Sequence, residues 1–249
     1  MKKSLSGLSL VLLVAFSVWQ YWQDSKTASR APKSAVQNSK VFQSQADNKN
    51  FTKNDRTLAG TTADYDVSLA QDSYGQNQHA PVDYYMLALS WSPDFCQQQY
   101  EKFGENLPHS AQYQCGVKRQ FGWVVHGLWP QNARAKSIAD HPRFCQGDLP
   151  PLPQELLQPY LSMSPGEKLL QGEWEKHGAC AFDSAQAYFN KMQQLYQALN
   201  LPKEKPNRKE LFRLVKANNP ALRNVFLGAS GNELYICYDL QFQPINCPN

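Results

Sequence analysis

The sequence predicts an α+β fold on three observations. Three short runs have the composition or alternation of strands, three helical periods are crowded between the second and third of them, and no regular βαβ rhythm or Gly-rich phosphate loop is present. No internal repeat is visible along the 249 residues.

"VDYYMLALSW" (82–91) and "QFGWVVHGLW" (120–129) are rich in aromatic and β-branched residues, as buried strands are. "SPGEKLLQGEWEKHG" opens with Ser164, Pro165 and Glu167, which reads as a capping box with proline at the first helical position. "DSAQAYFNKMQQLYQALN" puts Tyr188, Met192, Leu195 and Leu199 on one stripe and meets a stop at Asn200, before Leu-Pro. "NRKELFRLVKANNP" (207–220) repeats the pattern, with Asn207 as cap, Glu210 three residues on, and Leu211, Leu214 and Val215 inward. "ELYICYDLQF" (233–242) alternates, with Leu234, Ile236, Tyr238, Leu240 and Phe242 on one face, and is expected as a strand near the sheet centre or half covered.

These elements begin late in the chain. Met1 to Lys3 supply a positive start, and Leu5 to Trp19 form an apolar run of 15 residues, shorter than the ~20 a spanning helix needs. Residues 1–22 therefore read as a signal peptide. Because Gln20, Tyr21, Trp22, Gln23 and Asp24 follow with no small-x-small cleavage site, a membrane anchor is the alternative. Residues 23–80 are polar and cysteine-free, too poor in apolar surface to offset the entropy of ordering, and read as a disordered linker. Residues 81–249 are long enough for one sizeable core and are expected to act as a monomer.

All six cysteines (Cys96, Cys115, Cys145, Cys180, Cys237 and Cys247) fall in that last segment. An even number downstream of an export signal points to disulfides in an oxidising compartment, periplasmic or extracellular, and no C-x-x-C pair suggests a metal. The net charge of +4 is misleading, because residues 1–80 hold nine Lys and Arg against six acidic residues. The remainder has 16 against 15, so a polyanion must be held by a local cluster and not by bulk attraction.

Two of the five histidines occur as His-Gly beside tryptophan, in "VVHGLWP" (124–130) and "EWEKHGAC" (173–180). A single packed histidine is unremarkable; two in such settings point to chemistry. His126 ends a hydrophobic strand, where Gly127 lets another group approach the backbone. On a helix, Glu173, Lys176 and His177 share one face at i, i+3 and i+4. Two imidazoles and an ammonium suit an in-line displacement in RNA: one imidazole takes a proton from the 2′-hydroxyl, the other supplies one to the 5′-oxygen, and the ammonium meets developing charge. A zinc set of His126, Glu173 and His177 is the weaker reading, since the second histidine of HExxH is missing and Lys176 would sit beside the cation.

"HGLWP" (126–130) and "EWEKHGAC" (173–180), with "LSWSPDFC" (89–96) ahead of them, resemble the active-site segments and first strand of the ribonuclease T2 family, bacterial ribonuclease I-like members included. The resemblance spans about Tyr84 to Cys247. It implies an α+β fold with a central antiparallel sheet packed by helices and braced by disulfides. It also implies an endoribonuclease of low base specificity that uses no cofactor or metal and acts on RNA through 2′,3′-cyclic phosphates. His177 matches the family's general base, His126 its general acid, and Glu173 and Lys176 the pair that stabilises the phosphate. Trp129 matches the aromatic that packs against a base, and Gln131 fills the place of an acidic or amide residue. Gly172 stands where the family often has a phosphate-binding histidine, and Ser90 where plant-type members carry glutamine. The bridge Cys145–Cys180 is implied as well, with Cys96–Cys115 and Cys237–Cys247 expected as local pairs. The rival from another class is a catalytically silent RNA-binding module on the same fold; such a module would be expected to lack at least one of His126, Glu173, Lys176 and His177, and all four are present.

Overall fold

In this computed structural model, residues 68–116 and 121–248 are described, so the expectations for residues 1–22 and for most of the linker lie outside them. The first strand, β1 (Tyr84–Trp91), sits at the centre of an antiparallel sheet. It pairs with β2 (Trp123–Gln131) on one side and with β4 (Glu233–Tyr238) on the other, and β4 in turn carries β3 (Gly228–Ser230) and β5 (Pro244–Ile245). Helices α1 (Ser92–Phe103) and α2 (His109–Cys115) link β1 to β2. Between β2 and β3 come α3 (Gln154–Leu157), α4 (Glu167–Lys176), α5 (Ala185–Gln197) and α6 (Arg208–Asn218).

One face of the sheet is apolar. Leu87, Leu89, Val125, Leu128, Leu234 and Ile236 are fully buried in one cluster with Leu170 of α4, Tyr188, Phe189 and Met192 of α5, and Leu211 and Val215 of α6. Each such side chain contributes about 1.5–3 kcal/mol when removed from water. This is the reason the helical stripes at 188–195 and 211–215 face inward. Ser184 and Asn207 cap α5 and α6 by accepting from the backbone N–H groups of Ala187 and Glu210.

Four local expectations differ from the outcome. The capping box at Ser164 does not form: α4 begins at Glu167, behind Gly166. Ser164 instead closes the preceding turn, its N–H donating to the Tyr160 carbonyl and its own carbonyl accepting from Gly166. The last strand stops at Tyr238, because the Asp239 carboxylate accepts from the N–H groups of Gln241 and Gln243 and turns the chain. Leu240 is left exposed, and Phe242, at φ 60°, folds back to stack on Tyr85 at 4.8 Å. Helices α1 and α2 were not anticipated; Pro93 opens the first of them, and the pair is stapled by Cys96–Cys115.

The fourth difference is the domain boundary. Residues 68–80 are folded onto the domain, upstream of Pro81: Asn77 exchanges two backbone hydrogen bonds with Arg143, and Gln76 donates to the Phe144 carbonyl. The remaining disulfides are Cys145–Cys180 and Cys237–Cys247, so all three expected bridges are present.

Candidate active site

The open face of the sheet carries the site, and a defect in β2 creates it. Ala88 of β1 pairs with Gly127 while the next residue, Leu89, pairs with Val125, so His126 is the extra residue of a β-bulge. The bulge lets Val125 and Leu128 both enter the core while His126 turns to the opposite face, its side chain 36% exposed. Strict alternation cannot produce that arrangement.

His126 is held from two sides. Its Nδ1 lies 2.5 Å from Glu233 Oε1, and its Nε2 lies 3.5 Å from Glu173 Oε1. Glu233, on β4, also accepts from the hydroxyls of Ser90 and Tyr235. Burial opposes the charged imidazolium, but the Glu233 carboxylate, its hydrogen bond and Glu173 outweigh it and lift the His126 pKa to about 9. Burial likewise pushes Glu233 up, and His126, Tyr235 and Ser90 together bring it below its ordinary value. Sequence reading missed Glu233. The alternation of "ELYICYDLQF" located the strand, yet nothing local marks the residue that meets a histidine 107 positions away.

The end of α4 brings the other half. Glu173 and Lys176 lie in its last turn, and His177 is the first residue beyond it, its N–H still bonded to the Glu173 carbonyl. Glu173 is buried, which raises its carboxyl pKa despite His126, Trp129 and Lys176 nearby. His177 is buried as well, and its Nδ1 meets no hydrogen-bond partner among the described residues. With no carboxylate to hold a second proton, burial depresses its pKa well below the usual value, and Arg143, Lys176 and His126 add to the shift. The two imidazoles are thus driven in opposite directions.

Trp129 ties the halves together. Its ring lies 5.1 Å from that of His126 and 5.6 Å from that of His177, and its Nε1–H donates to Glu173 Oε2 at 2.7 Å. Glu173 fits there because of Gly127: a Cβ at that position would lie 1.8 Å from Glu173 Oε2 and 2.5 Å from Trp129 Nε1. The close approach anticipated at Gly127 is made by Glu173. Gly127→Ala is expected to destabilise the fold by about 1–3 kcal/mol through overpacking, read as a lower midpoint in urea unfolding.

Lys176 points toward the N-terminal segment. Its Nζ lies 2.8 Å from Asp72 Oδ2, and Arg143 Nη2 grips the same carboxylate at 2.7 and 2.8 Å. Beneath it, Phe144 adopts φ 44°, donates its N–H to the Lys176 carbonyl and sets its ring 5.5 Å from the ammonium. Cys145–Cys180 fastens the same loop to the turn after α4. Asp72 and Arg143 were also missed, the first because it lay in a stretch read as linker. Gln131 stands apart from this group: it is buried at the end of β2, opposite Tyr84, and its amide donates to the Pro130 carbonyl. Among the described residues no three His, Cys, Asp or Glu side chains converge as metal ligands.

Fold and site together define a disulfide-braced α+β enzyme with a paired-imidazole centre. The model of the ribonuclease T2 family matches residues 82–204. A probable ribonuclease of Haemophilus influenzae is 52% identical over 271 aligned residues, covering 99% of each chain. Two solved structures share the fold. An RNase-related protein from Calystegia sepium has a TM-score of 0.51 at 22% identity, covering 69% of this chain and 93% of its own. Trichomaglin, described as a novel S-like ribonuclease, has a TM-score of 0.50 at 21% identity, covering 67% and 92%. The chain belongs to the ribonuclease T2 family and is an endoribonuclease of the T2 type.

Proposed function

We propose that this protein cleaves single-stranded RNA without a metal, by transphosphorylation to a 2′,3′-cyclic phosphate, and with low base specificity. His177, neutral near pH 7, takes the proton of the 2′-hydroxyl. The 2′-oxygen then bonds to the adjacent phosphorus as the bond from phosphorus to the 5′-oxygen breaks. His126, protonated over the same range, gives its proton to the departing 5′-oxygen. Lys176 and Glu173 flank the phosphoryl oxygens, where the ammonium favours the developing negative charge and burial raises the pKa of the Glu173 carboxyl. Trp129 offers a ring face on which a base stacks with little regard to its identity.

The opposite displacement of the two histidines carries this reading, because a base poised neutral and an acid poised charged are what such a displacement needs at neutral pH. The convergence of His126, Glu173, Lys176 and His177 in one place favours it over a silent RNA-binding module. The disulfides suit an oxidising compartment, periplasmic or extracellular.

The test is a short RNA and its 2′-deoxy counterpart, each incubated with the protein in EDTA. The RNA is expected to break, leaving cyclic phosphate and 5′-hydroxyl ends, while the deoxy strand stays whole. Cleavage of the deoxy strand, or activity that EDTA abolishes, would overturn the mechanism.

A further inference from the structure

We propose that Asp72 is a positioning residue for the reaction: its carboxylate, anchored by Arg143, sets the Lys176 ammonium where the phosphate is to be met. The inference rests on the role given to Lys176 above. It makes residues 68–80, upstream of the segment 82–204 that the family model matches, part of the working enzyme.

A lysine side chain is flexible, and an ammonium left to itself samples many rotamers at the surface. Here a carboxylate meets it. Asp72 accepts from one Nζ–H at 2.8 Å, while the Lys176 side chain remains 23% exposed, and an ammonium has two further N–H bonds to offer a phosphoryl oxygen. Asp72 is itself fixed. Its side chain is 8% exposed, both oxygens accept from Arg143 Nη2, and Arg143 is 5% exposed. The backbone ladder between Asn77 and Arg143 and the Asn77 amide bond to the Ala139 carbonyl hold the segment down. Asp72 also accepts from the N–H groups of Tyr74 and Gly75, which sets the turn that presents it. Burial acts against its charge, yet the two cations keep its pKa below the ordinary carboxylate value, so it is ionised at neutral pH.

A carboxylate in this place has a second conceivable effect: it could compete with phosphate for the cations. The hydrogen bonds that fasten the segment and the buried pairing with Arg143 favour positioning, and the two effects have opposite signs. Removing a competitor raises kcat/KM. Removing a positioning group lowers kcat and leaves KM unchanged or lower, since one negative charge fewer faces the RNA.

The experiment compares the full chain with Asp72→Asn, Lys176→Ala and the double variant, in single-turnover and steady-state cleavage of an oligoribonucleotide. Asp72→Asn is expected to lower kcat by about 10- to 100-fold, the cost of a misplaced group. KM is expected not to rise, and the substitution to have no further effect once Lys176 is alanine. A higher kcat/KM, or a loss that simply adds to that of Lys176→Ala, overturns the proposal. Because Asp72→Asn strands the buried Arg143 charge, Asp72→Asn/Arg143→Gln is the second variant; it removes both charges and should show the same loss of kcat. The Lys176 ammonium signal in a nitrogen-15 NMR spectrum gives a readout independent of RNA cleavage. It should be visible in the parent protein and lost in both variants, and its persistence unchanged overturns the proposal. A parent protein that cleaves no RNA would sink the ribonuclease mechanism while this signal still decides on Asp72.

Discussion

His126→Ala and His177→Ala are each expected to lower kcat on RNA by at least about 100-fold, the scale of general acid or base assistance. The physical reason differs between them. Without His126, the 5′-oxygen must leave unprotonated; without His177, water must take the 2′-proton. Neither imidazole binds the ground state in the proposed mechanism, so KM should change little, and the double variant should fall only slightly below the worse single one because the two act in one step. His126→Ala also leaves Glu233 with the Ser90 and Tyr235 hydroxyls as partners, which keeps that buried carboxylate from being stranded. Single-turnover kinetics on a defined oligoribonucleotide reads the effect. Near-normal kcat in either variant would show that the roles are assigned to the wrong residues.

The second large effect is on pH dependence. Because His177 must be neutral and its pKa is depressed below 6.5, kcat/KM should rise with pH on the acid side and reach its plateau before neutrality. His126 must be protonated, and its pKa of about 9 places the alkaline fall there. Glu233→Gln keeps the shape of the carboxylate and removes its charge, so the alkaline limb should move down from about 9 toward the ordinary imidazole value of 6.5, while the acid limb stays. At pH 8 this amounts to a loss of about tenfold or more, since one pKa unit is a factor of ten in the protonated fraction beyond the limb. An alkaline limb that stays near 9 in Glu233→Gln would remove Glu233 from the account.

Stability should follow the same group with a definite sign. The folded pKa of His126 lies above its unfolded value, so the stabilisation it shares with Glu233 is fully present below about pH 6.5 and is lost as pH rises through about 9. Thermal midpoints of the parent protein should therefore fall across that window more than those of Glu233→Gln.

Much of the site was legible because chemistry and local period coincide in two short stretches. In "EWEKHGAC" the helical spacing alone puts Glu173 and Lys176 on one face with His177 beside them, and in "VVHGLWP" a glycine after histidine signals a close approach to the backbone. The stripes through Tyr188 and Leu211 located α5 and α6 for the same reason, since burying an apolar face needs only the 3.6-residue period. Ser164 failed as a cap because its backbone closes the turn from Tyr160 and Gly166 takes the N-cap place, which leaves the Ser164 hydroxyl buried without a partner among the described residues; nothing in the spelling shows this.

By itself the sequence determined β1, β2, β4 and the helices α4 to α6, the two histidine segments and the residue types of an acid–base site, because these depend on neighbours a few positions apart. The tertiary structure alone decided in which direction each histidine's pKa moves. A bulge opposite Ala88 turns His126 out of the core, the pairing of β1 with β4 brings Glu233 to its Nδ1, and burial leaves His177 with no such partner. It also decided that Asp72, in a stretch that reads as linker, reaches Lys176. Protonation responds to charge and solvent through space, and those distances are set by sheet register and chain folding, which no run of neighbouring letters contains.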